Sequence, residues 1–257
     1  MVKKGMVKTE EEIAIIREGG KRLARILLTL KEAVRPGVTT LELDTLAEKL
    51  VRDEGDTPAF LNYTPEGADS PYPGTLCVSV NDEVVHGIRG KRVLLEGDII
   101  TLDMGIEHGG FFTDAAITVP VGAVPKIAQK LMDVTQKALN VGISVAQAGN
   151  TIGDIGYAIE KYVNKNGFVV VEELGGHGVG YHQHEDPHIP NYGEKGEGIE
   201  LVPGMVLALE PIVNEGTRFV KMLSDGYTFV TKDHKRSAHF EHTILITNGE
   251  PEILTKI

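Results

Sequence analysis

The chain has 257 residues, 41% of them apolar, and a formal net charge of -11, so it can bury a substantial core, while its acidic balance, with no long basic run to reverse it, excludes a general nucleic-acid binder. Lys3, Lys4 and Lys8 read as a small solvated patch. The one cysteine, Cys77, cannot form an internal disulfide, and no apolar run has signal-core or membrane-span character, so a cytoplasmic protein is expected.

Taken in order, Thr9 and Glu12 have capping-box spacing, and Ile13, Ile16, Leu23, Leu27 and Leu30 recur near the helical period until Arg35-Pro36-Gly37 ends the helix. Thr39 and Glu42 repeat the cap, Leu43, Leu46 and Leu50 line a face, and Gly55 supplies a stop. Phe60 to Tyr72, rich in Pro, Gly and small polar residues, reads as a mobile flap. Thr75 to Val80 reads as a strand leading to His86.

Gly97 to Asp114 (GDIITLDMGIEHGGFFTD) reads as a hairpin whose connection runs from Gly105 to Gly110. Asp103 follows Ile99, Ile100 and Leu102 in the first strand, where an unpaired carboxylate is costly to bury. The turn brings Asp114 back beside it. Two neighbouring carboxylates in a sheet fit either a divalent metal or a proton-sharing dyad.

The second half echoes the first. Gly37 to Gly55 matches Gly149 to Gly167, with Thr39 on Thr151, Glu42 on Asp154 and Val51 on Val163. LLEGDIITLD, ending at Asp103, resembles LVPGMVLALE, ending at Glu210, and an acid closes both strands. Two related halves around a pseudo-twofold axis follow, with a metal at the axis held by both. Glu210 in Leu209-Glu210-Pro211, and Glu241 just before the strand Ile244-Leu245-Ile246, pose the same burial problem as Asp103. His177, flanked by four glycines in GGHGVG, reads alone as a turn residue, but one shared metal would account for all these acids together.

In their order and contexts, Asp103, Asp114, His177, Glu210 and Glu241 resemble the five metal ligands of the methionine aminopeptidases, and VNDEVVHGI, TLDMG, GGHGVG, HEDP, LEP and FEHT extend the resemblance from about Glu10 to the C-terminus. The resemblance implies an α+β pita-bread fold, antiparallel sheets backed by helices with internal pseudo-twofold symmetry. It implies one catalytic domain over 1–257, with a tail at 1–9 and halves of roughly 10–120 and 121–257. The short spacing from His177 to Glu210 and the lack of a Cys-rich zinc region point to type I.

The same resemblance implies two divalent ions, with Glu241 bridging them and His177 and Glu210 completing one. The oxygen-rich donor set suits Mn or Fe(II) at least as well as Zn, with Co as a substitute. Glu210 would also shuttle a proton, and His86 and His184 would bind substrate and stabilise the tetrahedral intermediate. Cys77, Tyr72 and Tyr63 match the methionine pocket; Tyr227 stands where many bacterial members have Trp, and Gln183 where Phe or Met is common. His182 and His188, beside His184, are assigned to the surface.

The implied activity is removal of the initiator methionine from peptides and nascent chains whose second residue is small. The expected protein is a monomer with transient ribosome contact, no specific nucleic-acid partner and no membrane association. The alternatives are a pita-bread peptidase acting on X-Pro bonds, whose extra N-terminal domain has no counterpart ahead of Asp103, and a non-catalytic pita-bread binding protein, whose members lose ligands.

Overall fold

Side-chain caps set three of the helix starts. In the computed structural model, which describes residues 5–65 and 67–256, the Thr9 hydroxyl accepts the Glu12 N–H while the Glu12 carboxylate accepts the Thr9 N–H at 2.7 Å, opening α1 (Glu10–Ala33). The same reciprocal box opens α2 (Thr40–Asp53) at Thr39 and Glu42, and α4 (Ile152–Lys165) at Thr151 and Asp154. By contrast α3 (Lys126–Val145) starts after Pro125 with no side-chain cap. The apolar stripes pack as their periods require. Leu23, Leu27 and Leu30 of α1 and Leu43 and Val51 of α2 form a cluster with Ile100 and Leu102. Leu131 and Leu139 of α3 and Ile155 and Ile159 of α4 form another with Leu207 and Leu209.

The repeat is visible in the backbone. Gly37 and Gly149 have φ of 91° and 90°, Gly55 and Gly167 79° and 84°, and Gly97 and Gly204 95° and 90°. All lie in the left-handed region that only glycine enters freely. Gly37 N–H donates to Leu94 O at 2.9 Å, and Gly149 N–H to Leu201 O at 3.0 Å, so each helix start is tied to the turn that enters its half's acidic strand.

The main antiparallel sheet carries, side by side, the strands Ile99–His108, Phe111–Pro120, Glu241–Leu245, Val206–Leu209 and Gly175–Gly178. Register decides which side chains share a face. Asp103 and Glu241 both pair with Ala116, and Asp114 lies two residues before it, so the three carboxylates project from one face. On the opposite face Ile100, Leu102 and Met104 enter the core.

Several expectations change. The hairpin turn is Gly109-Gly110 rather than Gly105–Gly110, because the first strand continues to His108 and Gly105 pairs with Asp114. Asp103 is therefore mid-strand, whereas Glu210 follows the end of its strand and Glu241 begins one. The stretch before His86 is two strands, Cys77–Val80 and Glu83–Val85, turned at Asn81 with φ 58°. Lys3 and Lys4 lie outside the described residues, but Lys8 is buried, not solvated. The flap is laced at its base: Asn62 N–H donates to Tyr72 O at 2.9 Å and Tyr72 N–H to Tyr63 O at 2.8 Å.

Because Thr39 and Thr151 cap separate helices in the two halves, we expect Thr39→Ala and Thr151→Ala each to cost about 1 kcal/mol and the double variant to cost their sum. Denaturant unfolding followed by circular dichroism checks this; a double variant no worse than either single one contradicts it.

Candidate active site

Five strands bring five donors to one point. Asp103, Asp114, His177, Glu210 and Glu241 line one cavity of about 200 Å³. Donor atoms of Asp103, Asp114 and Glu241 lie within 4.8 Å of one another, as do those of His177, Glu210 and Glu241. Glu241 belongs to both of these trios, as a ligand shared by two ions would, and a third trio joins Asp114, His177 and His184. His177 Nδ1 is 2.8 Å from Gly178 O; an N–H donated there leaves Nε2, 3.6 Å from Glu210 Oε1, with a free lone pair.

These carboxylates have no cation of their own. Among the described residues no Lys or Arg lies within ion-pair reach of any of the four, and buried Asp114 Oδ1 and Glu241 Oε1 have no hydrogen-bond partner. Burial pushes Asp103 up to about 7. It pushes Asp114, Glu210 and Glu241 well above the usual carboxylate range, with mutual repulsion adding to it. Orphaned oxygens, clustered anions and a free imidazole nitrogen fit divalent metal ions.

The backbone around the donors is pinned by threonines. Thr243 Oγ1 accepts the Asp114 N–H at 3.0 Å and donates to Asp114 O at 2.7 Å. Thr118 Oγ1 accepts the His239 N–H at 2.9 Å and lies 2.8 Å from Thr101 Oγ1.

The other expected site residues line the same cavity. His86, in a left-handed turn with φ 57°, faces Phe229, and burial lowers its pKa to about 4. His184 stands 4.5 Å, ring to ring, from His177 and 5.8 Å from Tyr63. Cys77 pairs in register with Asp103, and burial keeps its thiol protonated. Tyr72 donates to Gly87 O at 2.8 Å and packs edge-on to Tyr227 at 5.2 Å, while the Tyr227 hydroxyl donates to Ser70 O of the flap. Gln183 is buried with Oε1 unpartnered, and His182 and His188 are exposed, as expected.

Phe60 and His239 are among the cavity residues that escape sequence reading. Phe60, edge-on to Tyr72 at 6.5 Å, looks like an ordinary loop aromatic. His239, buried with both ring nitrogens unpartnered, has Nε2 3.5 Å from Glu210 Oε2 and 3.9 Å from Glu241 Oε2. Its only sequence signal is its place two residues before Glu241.

Fold and site together define a metal-dependent hydrolase of pita-bread architecture. The chain belongs to metallopeptidase family M24, whose model matches residues 14–248. It is 46% identical over 250 residues to methionine aminopeptidase 1 of Bacillus subtilis, covering 97% of this chain and 98% of that one. It superposes on the crystal structure of methionine aminopeptidase from Thermotoga maritima with a TM-score of 0.94 and 41% identity, covering all of both chains. The Xaa-Pro dipeptidase of Bacillus anthracis, at 22% identity and a TM-score of 0.76 over 62% of its chain, shares the fold alone.

The pKa shifts set how the chelated protein responds to pH. Burial lowers His86 and His242 to about 4 and His177 and His239 to about 3, from 6.5, so the unfolded state binds more protons at these groups and stability rises with pH up to about 6.5. The four carboxylates act oppositely: raised in the fold, they bind more protons there, and stability falls as pH rises through their folded pKa values. Above about 6.5 only the carboxylates remain in play. We therefore expect the melting temperature in excess chelator to fall between pH 6.5 and 8, and the increase caused by Mn(II) to grow over that range. A metal-induced increase that shrinks with pH contradicts this.

Proposed function

We propose that this protein removes the N-terminal methionine from peptides and nascent chains whose second residue is small. The observation that carries the reading is the joining of two donor trios through Glu241, opening onto a pocket walled by Phe60, Tyr63, Tyr72, Cys77 and Tyr227. A narrow apolar slot with a polarizable thiol suits an unbranched thioether side chain. The names of the full-length relatives support the same substrate.

Asp103, Asp114 and Glu241 would hold one divalent ion and His177, Glu210 and Glu241 a second; the identity of the ions, Mn, Fe(II), Co or Zn, depends on availability. Divalent ions there would supply Lewis acidity, polarising a carbonyl and bringing the pKa of water down toward neutrality. Glu210, which follows the end of its strand and lines the cavity, takes the proton from the attacking water and returns it to the leaving amine. His86 and His184 donate N–H groups to the substrate backbone and to the oxyanion of the tetrahedral carbon. With four carboxylates against two divalent cations, the loaded site is near neutrality, which suits a neutral peptide bond.

The catalytic unit spans the chain as a single domain, with halves at about 10–120 and 121–257. It works as a monomer in the cytoplasm, meeting nascent chains through transient ribosome contact. No helix among the described residues is long and apolar enough to cross a membrane. X-Pro cleavage is the weaker reading, since the X-Pro peptidases this chain is similar to share only its fold.

The test is an assay of chelator-stripped protein reloaded with Mn(II), Fe(II), Co(II) or Zn(II) on Met-Gly and Met-Leu peptides. We expect no turnover without metal, and at least about 100-fold preference for Met-Gly. Glu210→Gln should lower kcat by about 100-fold or more. Equal methionine release from both peptides removes the specificity claim, and an active Glu210→Gln removes the assigned proton carrier.

A further inference from the structure

The N-terminal segment grips the loop of His184 from behind. Lys8 immediately precedes the Thr9 cap of α1, and its side chain is 1% exposed. Its ammonium donates to Glu185 Oε2 at 2.6 Å and to Gly5 O at 2.9 Å, and lies 4.6 Å from the ring centre of Tyr181. The other Glu185 oxygen, Oε1, accepts the His182 N–H at 2.8 Å. Tyr181 in turn donates to Glu12 Oε2 at 2.8 Å, the oxygen that closes the α1 capping box.

Residues 181, 182 and 185 are thus tied directly or through Glu185 to residues 5–12, and the two between them, Gln183 and His184, face the cavity. Space is made for the grip: a Cβ on Gly180 would lie 2.6 Å from Lys8 Cε. Lys8 itself is moored to the second half, its N–H donating to Gly204 O at 2.9 Å at the turn that leads into the strand before Glu210. A buried ion pair adds little net stability, because desolvation offsets the attraction, but its geometry is narrowly fixed.

We propose that Lys8 is a positioning residue for catalysis, which through Glu185 sets the place of His184 over the metal donors. This rests on the reading of His184 as a group that contacts substrate. A side chain that must meet an oxyanion tolerates little displacement, since an error of about 1 Å can cost about 100-fold in rate.

The test is a double-mutant cycle on the full chain reloaded with Mn(II), measuring kcat and KM on a Met-Gly peptide. Manganese affinity by calorimetry and the melting temperature are measured alongside. We expect Lys8→Met to lower kcat by about 10- to 100-fold with Mn(II) affinity unchanged, and His184→Gln to lower it at least as far. In the His184→Gln background, Lys8→Met should then change kcat by less than about twofold, because the group it positions is gone. Where Lys8→Met does not fold, Glu185→Gln, which keeps an acceptor for the His182 N–H, takes its place in the cycle. Effects that multiply in the double variant, or a Lys8→Met enzyme with normal kcat, overturn the positioning role and leave the function of His184 standing. Wild-type kcat in His184→Gln alone overturns the reading of His184 and this inference with it.

Discussion

Four carboxylates clustered with no Lys or Arg partner among the described residues are the constraint on which the rest of the structure depends. Each is placed by a different strand, and each would be relieved by moving a few ångströms toward water. The fold prevents that escape. Thr243 replaces a ladder bond with a side-chain bond to Asp114, and Thr118 does the same for His239, so strands that repulsion would spread are bolted across the sheet. The binding free energy of the ions is what converts this local conflict into a stable arrangement, which makes metal binding and folding parts of one equilibrium.

Duplication supplies such a site economically. The same glycine turns and helix caps recur in both halves, and each half delivers an acid from the equivalent strand. The copies differ where chemistry needs difference. Asp103 sits mid-strand, short and fixed, whereas Glu210 lies just beyond its strand and has a longer side chain. That position suits a group that must both face an ion and exchange a proton.

Features governed by local chemistry were legible in the sequence. The capping boxes at Thr9, Thr39 and Thr151, the glycine stops and the acids stranded in apolar runs each announce themselves within a few residues. The start of α3 did not, because Pro125 contributes no capping side chain. The turn was misplaced because Gly105 looks like a loop residue; its lack of a side chain instead answers Ala59 and Phe60, 3.0 and 3.2 Å from where its Cβ would be. Lys8 looked solvated because its partner lies 177 residues away. His239 escapes for a related reason: an imidazole two residues from a ligand is informative only once the strands ending at His239 and starting at Glu241 are known to turn both side chains toward one cavity.

The site divides its parts by the precision each needs. The five donors sit on or beside strands, where hydrogen-bonded neighbours hold a carboxylate to within a fraction of an ångström. The groups assigned to substrate sit on turns and loops: His86 in a left-handed turn, His184 in the bend just before the strand Glu185–Pro190, and Tyr63 and Tyr72 at the base of the flap. Loops left alone would scatter these groups, so each is tied down from outside the cavity. Asp44 of α2 accepts the Thr75 and Leu76 N–H groups at 2.7 and 3.0 Å and pairs with Arg89 at 2.8 Å. Lys8 holds Glu185 in the same manner. Charged groups far from the chemistry thus share one task, which is to give irregular backbone the fixity that the sheet gives the metal donors.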